Sequence, residues 1–309
     1  MMSRRDDRSL LRLGHSPDPD DAFMWWPLLE IDGRPPRIDT GRFRFEAVAE
    51  DIETLNRRSE QGDLEITAMS CAQYPHVKDR YALTACGASL GDAFGPKLVA
   101  TRPMTVDELG MSELVIAVPG TRTSAFAVAG LLLGAGGFRY EVLPFDQIIE
   151  RMAEGEFDVG LIIHEGQLTY EQAGLHLIED LGAWWSRRHG LPLPLGVNAV
   201  RRDLARRFGA GALEEVTGLL RRSVEFALAH RDESLAYALG FARGIEPGVA
   251  DEFISMYVNR WTIEFGPTGE RAVRTLLECL HAAGLAPDPG AVDFVAAAPI
   301  DGDPGAGGV

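Results

Sequence analysis

The sequence predicts an α/β protein of two lobes facing each other across a cleft. Three observations lead there: a helix–Gly–strand unit that occurs twice, a strand–loop–helix unit that also occurs twice, and a final third that reads almost entirely as helix. In the first unit, Ile52 and Leu55 share one face of a helix. Gly62 ends it, and 63–69 runs as a strand to Ser70. In the second half, Ile148, Ile149 and Met152 mark the helix, Gly155 ends it, and 156–163 runs to His164. Glycine suits the end of a helix because it enters the left-handed region without a Cβ clash, and β-branched runs suit a buried strand.

The other repeated unit precedes each of these. Residues 11–14 read as a strand, Ser16-Pro17-Asp18-Pro19-Asp20-Asp21 as a turn and 22–29 as a helix. Residues 114–118, 119–123 and 124–133 repeat that order. Each half is therefore an α/β lobe with parallel strands whose loops collect at one sheet edge. The extended segments 96–101 and 195–200 predict the two crossings between lobes. Lobe 1 is then discontinuous, 1–100 and 199–309, and lobe 2 is 101–198. Helices over 212–229, 249–261 and 270–283 are expected to pack on lobe 1, and the Gly-, Pro- and Asp-rich tail 301–309 to be disordered.

Composition narrows the class. The chain has 309 residues, enough for two modest domains, with 46 % apolar and 25 % charged residues, as in ordinary globular proteins. A net charge of −16 excludes nucleic-acid binding, which needs basic patches. No apolar run approaches the roughly 20 residues of a membrane span. Residues 1–12 lack the apolar stretch of about 7–15 residues found in export signals, so a cytoplasmic location is expected. Cys71, Cys86 and Cys279 are too scattered for a disulfide framework or a zinc site, and Cys71 reads as a packing residue. No metal site is expected from these residues.

The candidate chemistry gathers at the loop edge. His164 stands where an apolar strand runs out, and imidazole ordinarily titrates near neutrality, which suits proton transfer. A structural histidine bound to a backbone carbonyl is the alternative. Thr121, Thr123 and Ser124 sit where a Gly loop enters a helix, a cradle for a carboxylate if they do more than cap. Asp20 and Asp21 read as caps at a helix start. Ser70 is the lobe 1 counterpart of His164 and reads as a substrate-binding hydroxyl. Trp25-Trp26 and Trp184-Trp185 read as core, or as walls for an aromatic ligand.

These stretches are similar to a known family. Ser16-Pro17, Asp21-Ala22-Phe23, Asp51 to Asn56, Pro119-Gly120, Thr123-Ser124-Ala125, Leu161-Ile162-Ile163-His164-Glu165-Gly166, Asp180 to Trp185 and Tyr257-Val258-Asn259 occur in order along nearly the whole chain. The chain resembles the menaquinone-biosynthesis enzymes with a periplasmic-binding-protein type II fold, in the 1,4-dihydroxy-6-naphthoate synthase branch. The resemblance implies a carbon–carbon lyase acting on cyclic dehypoxanthinylfutalosine, a small carboxylate, in the futalosine route, with no metal or redox cofactor. His164 would be its base, and Ser16, Ala68, Met69, Ser70, Thr123, Ser124 and Ala125 would contact substrate. The family's first loop usually reads Ser-Pro-Cys-Pro-Asn-Asp-Thr, so Asp18 stands where a cysteine is usual. Ala68 stands where the family commonly has a lysine, with Arg122 a candidate to supply the missing cation. Rival readings are a solute-binding protein or ligand sensor of the same fold, and a chorismate-dehydratase-like enzyme.

Overall fold

A computed structural model describes residues 8–242 and 245–298. The tail expected to be disordered, 301–309, lies outside them. Its strands are β1 Ser9–His15, β2 Phe43–Ala49, β3 Ile66–Ser70, β4 Tyr81–Thr84, β5 Ser89–Gly91, β6 Lys97–Ala100, β7 Val115–Val118, β8 Arg139–Val142, β9 Val159–Ile162, β10 His176–Asp180, β11 Leu193–Arg201 and β12 Phe294–Val295. One sheet has the order β12-β4-β11-β3-β1-β2, with β5 also on β11; the other has the order β10-β6-β9-β7-β8. Each sheet belongs to one lobe.

The repeated units account for the strands that matter most. β1 runs parallel to both β2 and β3, and β7 runs parallel to both β8 and β9. The helices Ile52–Ser59 and Ile148–Ala153 precede β3 and β9. Gly62 and Gly155 follow those helices with φ of 70° and 79°, the left-handed turn that lets each chain double back into its strand. Parallel strands fed by helices place the loops after β1, β3, β7 and β9 at carboxyl ends, where α/β sheets bind ligands.

The crossings differ from expectation by a few residues. β6 pairs antiparallel with β9 and β10 and so belongs to the second sheet. β11 pairs antiparallel with β3, β4 and β5 and belongs to the first. The chain therefore changes sheets between Gly91 and Lys97 and between Asp180 and Leu193, not at 100/101 and 198/199. The extended segments taken as linkers are themselves ladder strands, and each is drawn into the sheet it enters. The C-terminal helices are Ala212–Ala229, Arg231–Ala238, Pro247–Tyr257, Arg260–Ile263 and Gly266–Ala282. The helix expected over 249–261 breaks because Asn259 caps a new one, accepting a bond from Trp261 N at 2.9 Å.

One hydrophobic core runs behind both sheets. It joins Met69, Leu83 and Leu90 of the first sheet to Leu98, Val118 and Leu161 of the second, with Val273, Leu276, Leu277 and Leu280 of the last long helix. Leu277 is fully buried. Leu277→Ala should therefore cost about 2–5 kcal/mol by leaving a cavity in the hinge core. Urea unfolding followed by circular dichroism measures this, and a loss below about 1 kcal/mol would mean that the core does not depend on this helix.

Candidate active site

The gap between the sheets is a cleft of about 700 Å³ when the space open to solvent at its mouth is included. The loop after β1 gives it Ser16, Asp18, Asp20 and Asp21, and β3 gives Ala68 and Ser70. The helix Ser124–Leu133 brings Ser124 and Ala125 with its cap Thr123, and the turn after β9 brings His164 and Gln167. β11 adds Asn198, and the helix Pro247–Tyr257 adds Phe253 and Tyr257.

The acid at the cap position of the first loop does not serve as a cap. Asp18 holds the cap position of the helix Pro19–Trp25 but forms no side-chain capping bond. Its Oδ2 instead accepts the Ser16 hydroxyl and lies 3.0 Å from His164 Nδ1. Asp21 folds back to accept Ser16 N–H at 2.7 Å. His15 is the structural histidine: buried, with its ring below the usual imidazole range mainly through desolvation, it donates from Nδ1 to Ser16 O at 2.8 Å. Burial, with Asp21 and Asp18 adding repulsion, pushes the Asp20 carboxyl well above the ordinary range. Burial also raises Asp21, to about 7. Such carboxyls keep protons that a surface acid would release.

His164 ends the second lobe's contribution in an unusual backbone state. Its φ is 52°, in the left-handed region, where a non-glycine residue costs roughly 1–3 kcal/mol. The turn sends the ring across the gap to Asp18. Phe145, 4.5 Å away between ring centroids, and Phe253, at 6.4 Å, flank it. Nε2 is buried without a hydrogen-bond partner, yet the side chain as a whole is 17 % exposed, so a ligand can reach the ring. Buried polar atoms are rarely left unpaired. This one has neither a donor nor an acceptor beside it.

The opposite contacts come from β3 and the Gly loop. β3 alternates, so Ala68 and Ser70 face the cleft while Met69, fully buried, joins the hinge core. Met69 is therefore corrected from a substrate contact to a core residue. Ser70 Oγ accepts Asn56 Nδ2 at 3.0 Å, and Ser70 N donates to Asn56 Oδ1 at 2.8 Å. Thr123 is the cap, accepting Phe126 N at 3.1 Å. Ser124 donates its hydroxyl to Leu195 O at 2.7 Å and accepts Ala72 N at 3.2 Å, tying the lobes together. The N–H groups of Ser124 and Ala125 open a ten-residue helix and have no partner within it.

Arg122 does not replace the lysine absent at Ala68. Its guanidinium pairs with Glu60 at 2.7 Å and reaches Gln73 at 3.3 Å, away from the cleft lining. Among the described residues, none that lines the cleft is Lys or Arg. Trp25, Trp26 and Trp185 are buried core. The aromatic walls are Phe253 and Tyr257, four apart on one helix face, a spacing the sequence shows but that core packing also produces. Tyr257 donates to Gln167 Oε1 at 2.8 Å across the gap, and burial keeps its phenol protonated. Asn198 and Asn56 were also not anticipated. Asn198 gives Nδ2 to Gly87 O at 2.6 Å, while its buried Oδ1 meets no donor. A polar Asn56 four residues after Ile52, on the apolar side of its helix, was the available signal. Burial pushes the Cys71 thiol up to about 12, which leaves it a packing residue.

The family model described as "Menaquinone biosynthesis" matches residues 11–282. A protein of Thermus thermophilus named 1,4-dihydroxy-6-naphtoate synthase is 41 % identical over 280 residues, covering 90 % of this chain and 97 % of that one. The protein of that name from Streptomyces coelicolor is 36 % identical over 281 residues, covering 90 % and 95 %. Among solved structures, protein AF1704 of Archaeoglobus fulgidus is 38 % identical with a TM-score of 0.80, covering 89 % of this chain and 98 % of that one. The alkanesulfonate-binding protein SsuA of Xanthomonas axonopodis pv. citri covers 93 % and 97 % with a TM-score of 0.67 at 14 % identity, a likeness of fold alone. The two-lobed binding-protein architecture is thus shared with proteins of unlike function.

The buried acids give the folded protein a particular pH response. Asp21 rises from an ordinary 3.8 to about 7, so the folded state holds a proton that the unfolded chain has released. Stability from this group is complete below about pH 4 and falls as pH rises towards 7. Asp21→Asn keeps an acceptor for Ser16 N–H and removes that titration. The drop in melting temperature between pH 5 and pH 7.5 should shrink by about 2–5 °C in the variant, measured by differential scanning fluorimetry. An undiminished drop would mean that Asp21 is already ionised in the folded protein at pH 5.

Proposed function

The chain belongs to the menaquinone-biosynthesis family, and we propose that it is the lyase that releases 1,4-dihydroxy-6-naphthoate from cyclic dehypoxanthinylfutalosine, with His164 as the base. Two relatives that carry the naphthoate synthase name over nine-tenths of this chain support the reaction. One observation supports His164: a buried Nε2 with no partner, on a ring that lines the cleft and contacts a carboxylate through its other nitrogen. The solute-binding, sensing and dehydratase readings give that nitrogen no comparable task.

In this reading the substrate lies between the lobes, and Nε2 removes the proton whose loss starts ring opening. The Asp18 carboxylate faces the imidazolium that results, and opposite charges at 3.0 Å in a buried site favour it. As a carbon–carbon bond breaks and a three-carbon fragment departs, negative charge collects on oxygen. Asp20, whose carboxyl burial pushes well above the ordinary range, lines the cleft as the donor to that oxygen. Aromatisation of the remaining rings supplies driving force, so this chain's residues need only bind, orient, exclude water and move protons.

Substrate binding falls to Ser16, Ala68, Ser70, Thr123, Ser124 and Ala125, all of which line the cleft. With no lysine at position 68, the substrate carboxylate is held by the Ser124 and Ala125 N–H groups at the positive end of their helix, without a cation. Asn198 Oδ1 accepts a substrate hydroxyl. We place the reaction in the cytoplasm; among the described residues no helix is long and apolar enough to cross a membrane.

Purified wild-type protein and His164→Ala, given cyclic dehypoxanthinylfutalosine, test the assignment by chromatography of the naphthoate. The variant should fold, by circular dichroism, and lose about 10²–10⁴-fold in kcat, the usual worth of a general base. Turnover within about threefold of wild type would remove His164 from the proton-transfer step.

A further inference from the structure

Asp18 has left the task its position offers. It stands at the cap of the helix Pro19–Trp25 but makes no capping bond, and its carboxylate is 2 % exposed. A carboxylate so buried needs donors. It has two candidates: the Ser16 hydroxyl, which donates to Oδ2, and His164 Nδ1, 3.0 Å from the same oxygen. Asp18 follows β1 in the first sheet and His164 follows β9 in the second, so the contact crosses the cleft.

A neutral imidazole has one N–H and one bare nitrogen, and the group beside one nitrogen decides which is which. A carboxylate facing Nδ1 selects the Nδ1–H form. The bare lone pair then sits on Nε2, the atom without a protein partner. From this we infer that Asp18 is a positioning residue for the base: it accepts the Nδ1–H of His164 across the cleft, fixes the tautomer whose Nε2 takes the substrate proton, and balances the imidazolium once the proton has moved. The flanking Phe145 and Phe253 rings offer Nδ1 no competing acceptor. Orientation of the base therefore depends on a residue from the opposite lobe. The inference rests on His164 being the base and adds the partner that makes it one.

The test compares wild type, Asp18→Asn and Asp18→Glu by ¹⁵N NMR of the His164 ring, assigned through His164→Ala, and by kcat and KM for naphthoate release. Wild type should show neutral His164 as the Nδ1–H form. In Asp18→Asn the amide N–H donates to Nδ1 and drives the proton to Nε2, so the tautomer should invert. The kcat should then fall about 100-fold while KM changes less than about threefold. Asp18→Glu should keep the Nδ1–H form and more activity than the amide. A merely structural Asp18 would lower the melting temperature without moving the tautomer. That result, or a kcat for Asp18→Asn within about twofold of wild type, would overturn the inference. The tautomer is read without substrate, so its failure is told apart from failure of His164 as the base, which turnover by His164→Ala alone reports.

Discussion

An imidazole and a carboxylate, carried on strands of different sheets, lie 3.0 Å apart across the gap between the lobes. The pair sits where β1 and β9 both run out, so it exists only because two parallel α/β units point their carboxyl edges at each other. Each group depends on the other. A buried carboxylate without a donor is expensive, and a left-handed histidine is a strained backbone that needs compensation from its surroundings. Their meeting offsets both costs and leaves Nε2 as the one ring atom with no partner.

Other polar groups between the lobes follow the same rule of mutual satisfaction. Asn56, fully buried on the first lobe, donates to Ser70 and to Arg122 O of the second lobe, 3.2 Å away. Glu53 Oε2 accepts Arg122 N at 2.9 Å, so the Gly loop is held from beneath by the helix that precedes β3. A Cβ on Gly120 would come within 2.6 Å of that carboxylate, which explains why the loop carries glycine there. Behind these bonds the shared hydrophobic core takes in Leu98 of β6 and Leu193, Val197 and Ala199 of β11, the strands that follow the two crossings. The apolar hinge sets the relation of the lobes, and the polar contacts set the register of the facing loops.

Much of this was legible in the amino-acid order because periodicity and turn chemistry act locally. Gly62 and Gly155 turn helices into strands by their own φ, and His164 follows a run of apolar residues that only a buried strand satisfies. Sequence order alone does not say what a side chain meets across a gap. Asp20 and Asp21 read as caps because local rules favour acids at helix starts, but it is Asp18 that takes the cap position, where its tertiary partner outweighs the local one. Met69 reads with its neighbours until strand alternation turns it into the core. Arg122 is near the cleft in sequence, but Glu60 and Gln73 draw its charge elsewhere. The crossing strands escaped because an extended segment and a ladder strand look alike until their partners are known.

The resulting cleft is rich in carboxyls and, among the described residues that line it, free of lysine and arginine. Proton donors and backbone N–H groups must then do what a cation would do elsewhere, and under the proposed mechanism the base is Nε2 of His164. A crystal structure of the protein with 1,4-dihydroxy-6-naphthoate bound tests that placement most directly. The product should lie between the sheets with a ring carbon within about 3.5 Å of His164 Nε2 and its carboxylate on the Ser124 and Ala125 N–H groups. A product bound outside the gap, or inside it with Nε2 still facing no ligand atom, would contradict the assignment of the base.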